Sequence, residues 1–180
     1  MATLQDLLEA IAALPAAERA DLLARLRELY GAPPPPRQMD LGLTSPDWTD
    51  PADYLLVFDG GSKGNPGAGY GSYALFEGGR PGTVRRLDFP DVTTNNEAEY
   101  LTLLAALDEL LAQLGPRAAA STLEVRGDSA LVLQQVQGHW KVKEERLRPL
   151  RDNVRARLRR LGKWRVVQQP REDSVRVLGH

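Results

Sequence analysis

Apolar residues recur at a helical interval near the start of the chain; beyond residue 53 the pattern switches between short strand-like runs and longer helical stripes. In residues 3–30, Leu4, Leu7, Leu8, Ile11 and Leu14 share one side of a helix that Thr3 can cap. Pro15 breaks that helix and suits an early position in a second one, whose apolar side is Leu22, Leu23, Leu26, Leu29 and Tyr30. Gly31 ends the hairpin. A unit of residues 1–31 is too small to bury both stripes by itself. It is therefore expected to dock on the main domain, pair with a second copy or bind a partner protein. Residues 32–52, with prolines at 33–36, read as a semi-rigid linker.

Residues 53–180 carry an α/β pattern. YLLVFD, from Tyr54, is an apolar run suited to a buried strand ending at Asp59. GYGSYALFE and TVRRLDF supply two more strands, with turn signals at Gly78, Gly79 and Gly82. Residues 94–114 predict a helix with Leu101, Leu103, Leu104, Leu107, Leu110, Leu111 and Leu114 on its apolar side, stopped by Gly115-Pro116. TLEVRGD is a fourth strand and SALVLQQVQ opens a helix. Residues 144–161 predict a basic helix, and KWRVVQQ a fifth strand. Three strands joined by turns and followed by α-β-α-β predict a mixed sheet flanked by helices.

Composition narrows the class. No apolar run approaches the roughly 20 residues a membrane span needs, and the first ten residues carry acids where a signal peptide is basic. With no cysteine and two histidines, disulfides and thiolate metal sites are excluded and zinc is disfavoured. A cytoplasmic location is the expectation. Charge is divided unevenly: residues 1–140 carry a net of −9 and residues 141–180 a net of +8. That division suits a protein holding cations in one place and a polyanion in another, and equally a solvated arginine-rich helix.

Three acids stand where chemistry is built. Asp59 precedes Gly60-Gly61, Asp128 closes the fourth strand, and Glu99 lies in the first turns of the 94–114 helix. If the first and fourth strands are neighbours, the three converge. Carboxylates without cysteine or clustered histidine favour Mg²⁺ or Mn²⁺. Such acids stay ionised together only with cations among them. Sites of this kind commonly hold two ions about 4 Å apart and run in-line displacement at phosphorus. Taken singly, each acid is equally a turn or helix cap.

The strings DGGSKGNPGAGYG from Asp59, TTNNEAEY from Thr93 and GDSALVLQQVQGHWKVK from Gly127 together resemble type 1 ribonuclease H in order and spacing. The resemblance covers roughly residues 53–178. It implies an RNase H-like five-stranded sheet of order 3-2-1-4-5 and cleavage of the RNA strand of RNA–DNA hybrids, leaving 5′-phosphate and 3′-hydroxyl ends. Asp59, Glu99 and Asp128 match three of the family's four metal-binding carboxylates, with two ions. Glu97 is passed over because the motif places the ligand three residues after the second asparagine. Asn96 and Asn95 match residues that contact the hybrid, Asn95 near a ribose 2′-hydroxyl. Asn65 and Thr94 match a pocket for a DNA-strand phosphate. Gly60, Gly61 and Gly64 are expected to admit the nucleic acid close to the backbone. Trp140, Lys141 and Lys143 lie where some members hold the DNA strand; His139 is read as a surface or packing residue.

The chain departs from the family's closing pattern, Arg-Glu-any-Asn-any-any-Ala-Asp. Arg171 and Glu172 agree, but Ser174 replaces the Asn and Leu178 the fourth acid. Leucine cannot bind a hard cation. His180 at the terminus comes before the last helix is expected to complete itself. Asp173, His180 or the terminal carboxylate could supply the missing ligand, or three acids plus substrate phosphate could hold the metals well enough for reduced turnover. The alternative function is a catalytically impaired module that binds hybrid or recruits a partner.

Overall fold

The computed structural model describes residues 50–179, together with Pro15 and Glu18. The rest of the predicted hairpin, nearly all of the linker, and His180 lie outside the described residues.

The elements run β1 (Tyr54–Gly64), β2 (Gly67–Glu77), β3 (Arg80–Pro81), β4 (Arg85–Thr93), α1 (Asn95–Leu114), a 3₁₀ segment (Gly115–Ala120), β5 (Thr122–Gly127), α2 (Ala130–Gln137), α3 (Leu147–Leu158), β6 (Lys163–Gln168) and α4 (Arg171–Leu178). The sheet order is β3-β2-β1-β5-β6, with β4 also pairing β2. In the predicted numbering this is the expected 3-2-1-4-5 mixed sheet, plus a two-residue strand on the outer edge.

Boundaries moved for physical reasons. The first strand was expected to stop at Asp59, yet β1 continues to Gly64, paired residue for residue with β2. Its parallel pairing with β5 covers only Tyr54 to Val57. Asp59 therefore sits on a strand that outruns its neighbour, open on the β5 side. The third strand extends past Phe89 to Thr93 because a bulge opposite Ala68 and Gly69 takes up Pro90 and Asp91, the kind of place where proline is tolerated in a sheet. The basic helix begins at Leu147, since the residues before it form tight turns: Leu147 N donates to Glu144 O at 3.0 Å, and Arg148 N to Glu145 O at 3.2 Å. The last helix does form. Gly179, with φ of 76°, closes it in the left-handed conformation.

Alternation along β1 decides the layers. Leu56 and Phe58 are fully buried beneath α1, α2 and α3 in the main core, which includes Tyr100, Leu103, Leu107, Leu110, Leu123, Val132, Val154 and Leu158. Leu101, assigned to the apolar side of α1, is only partly covered; Ala98, Thr102 and Ala106 take that face instead. Leu55, Val57 and Asp59 point to the other face. There α4 packs Leu178 against Val57 and Ala74 in a small apolar cluster, and Arg86 Nη2 donates to the Leu178 carbonyl at 3.0 Å.

Candidate metal centre

Three elements deliver one carboxylate each: Asp59 from β1, Glu99 from the second turn of α1, and Asp128 from the residue after β5. One oxygen of each lies within 4.8 Å of the others. Asp59 is 3% exposed and Glu99 9%. Gly60 makes the convergence possible. A Cβ there would sit 2.7 Å from the Ala98 carbonyl carbon and oxygen and from the Glu99 amide nitrogen. The missing side chain thus lets the helix backbone rest directly on the strand. Gly61 likewise leaves room for the Tyr70 ring, its Cβ falling 2.6 Å from the Tyr70 hydroxyl. Both glycines make packing space inside the protein.

Burial pushes the Glu99 carboxyl well above its usual range, reinforced by the charges of Asp59 and Asp128 and opposed by Arg171. Asp128 is raised by burial and by Asp59, while a hydrogen bond from its own backbone and the Arg171 charge pull it down. Buried Glu99 Oε2 and Asp128 Oδ1 have no hydrogen-bond partner among the described residues. Orphaned buried carboxylate oxygens on mutually repelling acids are costly. A divalent cation relieves both costs, and an all-oxygen donor set suits a hard ion. The residues present therefore fit Mg²⁺ or Mn²⁺.

A pH dependence follows. With its pKa raised in the folded state, Glu99 favours folding most fully below the unfolded value near 4.3. That contribution is lost as pH rises through the folded value. In chelator at about pH 8, Glu99→Gln is expected to melt higher than the parent by about 3 °C or more, the equivalent of about 1 kcal/mol in a domain of this size. The gap should close below about pH 4. Thermal melts across pH check this; a Gln variant that melts lower at the alkaline end contradicts it.

Glu97, two residues from Glu99, does different work. Its Oε2 accepts from Thr94 N and Thr94 Oγ1, both at 2.7 Å, while Glu97 N donates back to Thr94 Oγ1 at 3.3 Å. This is a capping box. Burial raises the Glu97 carboxyl, but the Thr94 hydrogen bonds and the Arg146 charge outweigh it and bring the group below its usual value.

The remaining candidates surround the start of α1. Asn95 Oδ1 accepts from Ser62 N at 2.9 Å, and Asn95 N donates to Asn65 Oδ1 at 3.2 Å. The β1–β2 turn and the helix start are thus stitched together, and Ser62, absent from the candidates, is part of the stitch through its hydroxyl on Thr93 O at 2.8 Å. Thr94 is committed to the cap. Asn96 is half-buried beside them. Asp173 does not join the acids; its carboxylate pairs with Arg176 at 3.3 Å. Leu178 is buried among apolar side chains, so the fourth-acid position offers no donor. Arg171, which matches the first position of the family's closing motif but was given no role, brings its Nη1 to 3.7 Å from Asp128 Oδ2. Trp140, Lys141 and Lys143 line a groove of about 450 Å³ with Leu131, Gln135 and Leu147. His139 Nδ1 contacts Gln134 Oε1 at 2.8 Å at the end of α2.

Comparison with known proteins finds similar chains and folds. A family model described as reverse transcriptase-like matches residues 58–177. Ribonuclease HI of Halobacterium salinarum is 36% identical over 120 residues, which make up 67% of this chain and 58% of that protein; the chain thus spans somewhat over half of that relative's length. The crystal structure of RNase H1 from the same archaeon superposes with a TM-score of 0.61 at 35% identity, covering 68% of this chain and 89% of that one. LC11-RNase H1 in complex with an RNA/DNA hybrid gives a TM-score of 0.63 at 30% identity, covering 68% and 89%.

Proposed function

The chain belongs to the type 1 ribonuclease H family, and from that premise we propose that it hydrolyses the RNA strand of RNA–DNA hybrids with divalent ions held by Asp59, Glu99 and Asp128. The observation that carries this reading is the meeting of those three carboxylates within 4.8 Å, two of their buried oxygens unpartnered among the described residues. Two Mg²⁺ or Mn²⁺ ions bound there would activate a water for in-line attack at phosphorus and stabilise the leaving oxygen. The protein's own part is placement. Short-range packing of α1 on β1 at Gly60 fixes Glu99, and the paired β1–β2 hairpin fixes Asp59. Asn95 and Asn96, at the start of α1, would contact the hybrid, Asn95 near a ribose 2′-hydroxyl, the group that distinguishes RNA from DNA. Asn65 Oδ1 accepts from the Asn95 amide; in the complex a DNA-strand phosphate would take over that amide, at the positive end of the helix.

Leu178 removes one acid from the set. Mg²⁺ often needs only one or two protein carboxylates, so the substitution favours slowed turnover over loss of activity. The test uses the full chain with an end-labelled RNA–DNA hybrid in Mg²⁺ or Mn²⁺. Cleavage of the RNA strand alone, with 5′-phosphate products, is expected; binding without cleavage under both metals would replace the enzyme with a hybrid-binding module.

A further inference from the structure

The net +8 of residues 141–180 plays no part in a centre built from acids. Much of that charge lies on and around α3, where several arginines are paired. Arg146 approaches Glu97 at 3.6 Å, Arg148 approaches Glu145 at 3.0 Å, and Arg157 approaches Asp108 at 2.6 Å. The pairs with Glu97 and Asp108 also fix a direction: α3 runs beside α1 in the same sense, outward from the end that carries Glu99. Arg155 stands two residues, about 200°, from Arg157, and so on the flank turned away from Asp108. Arg151 and Arg159, four residues to either side, share that flank and complete a stripe about 12 Å long.

This stripe is short of counter-charge. Arg151 meets the exposed Asp152 at 2.7 Å, but Arg155 and Arg159 form no ion pair among the described residues, and the buried Arg155 Nε has no acceptor there. Burial, and after it the like charges of Arg151 and Arg159, bring the Arg155 guanidinium below its ordinary value. The helix dipole welcomes cations in the last turn, where Arg155 and Arg157 stand. It gives a buried Nε no acceptor, however, and fades before Arg151. The near end of the stripe meets the groove of Trp140, Lys141 and Lys143. Leu147, one turn before Arg151, lines that groove together with Gln135. Gln135 accepts from the Tyr100 hydroxyl at 2.8 Å, and the charges of Arg151 and Arg155 reach Tyr100. Trp140 is 49% exposed, a flat face on which a base can stack.

We propose that Arg151, Arg155 and Arg159 form a track for the phosphates of a single strand that continues past the hybrid duplex, entered over Trp140. The proposal rests on the nuclease reading and narrows its substrate class to hybrids flanked by single-stranded nucleic acid. Guanidiniums four residues apart on a helix repeat about every 6 Å, close to the step between consecutive phosphates of a strand, and their planar charge suits phosphate. A duplex held at the metal centre is too stiff to turn along a helix that leads away from it, whereas a single strand can follow a charged groove.

The test compares a blunt RNA–DNA hybrid with hybrids that bear a single-stranded extension on the DNA strand or on the RNA strand, each bound to the full chain with Ca²⁺ as the divalent ion. One extension or the other is expected to tighten binding about tenfold. It should also steepen the log–log salt slope by about 2, at about 0.7 for each of three phosphates; the strand that gains is the one on the track. In the triple variant Arg151→Gln, Arg155→Gln, Arg159→Gln the gain is expected to vanish while affinity for the blunt hybrid stays within about twofold of the parent's, which also shows that the variant is folded. Arg159→Gln alone, at an exposed position, should lose about 0.7 of the added slope. No gain from either extension in the parent, or a gain that survives in the triple variant, overturns the assignment and leaves the nuclease reading intact. If the parent does not bind even the blunt hybrid, that reading falls first and takes this one with it.

Discussion

Replacing Asp59 by Asn is expected to lower RNA-strand cleavage by at least about a thousandfold without unfolding the protein. Asp59 is 3% exposed, and its surroundings include two further carboxylates that gain nothing from a third negative charge. Removing that charge relieves repulsion on Glu99 and Asp128, whose protonation Asp59 favours, so the metal-free fold should be no weaker. What is lost is a hard ligand, since a carboxamide oxygen binds a divalent ion far less well than a carboxylate. Glu97→Gln provides the contrast. It lies close by in sequence, yet its carboxylate is turned to the Thr94 cap, and a glutamine can still make the capping box. Cleavage there should stay within about threefold of the parent, with a stability cost of up to about 1 kcal/mol. Single-turnover cleavage and thermal melts on both variants decide the matter. Comparable losses in the two would mean the wrong acid has been assigned.

The sequence made some of this site legible and concealed the rest, and the difference is one of range. Strand and helix periods, the stop at Gly115-Pro116 and the identities of the three acids are local signals, and they located the strands and helices from β1 to β6, though not the last helix. Contacts made across the fold were silent. Nothing in DGG announces that Gly60 faces the α1 backbone, because glycine looks alike whether it frees a turn, admits a ligand or receives a helix. Pairing of Glu97 with Thr94 could have been read from the Thr-any-any-Glu spacing, a capping-box signature; the family motif pointed past it for another reason. Leu178 could be seen to lack ligand chemistry, but not that Val57 and Ala74 enclose it. That enclosure matters, because a leucine buried in this way holds α4 on the sheet. It thereby holds Arg171 at the mouth of the centre.

The second large effect concerns Gly60→Ala, a change of one methyl group at a residue with no chemistry of its own. The added carbon would lie 2.7 Å from three backbone atoms, those of Ala98 and Glu99. Backbone of a 20-residue helix cannot turn aside as a side chain can. β1 cannot retreat either, being paired along its whole length with β2. The helix must therefore lift from the strand, and Glu99 lifts with it. Overpacking of this kind costs about 3 kcal/mol, and a displacement of about 1 Å at a reacting centre costs about a hundredfold in rate. Gly61→Ala separates the two components. The nearest atoms to its methyl group belong to the Tyr70 side chain, whose ring can shift, so about 1 kcal/mol and a rate near the parent's are expected. Denaturant midpoints and single-turnover cleavage, measured on both variants under conditions where each is folded, give the comparison. If Gly60→Ala cleaves as fast as Gly61→Ala while folded, the close approach of strand and helix is not what sets the position of Glu99, and the centre owes its geometry to the acids and their ions instead of to the packing beneath them.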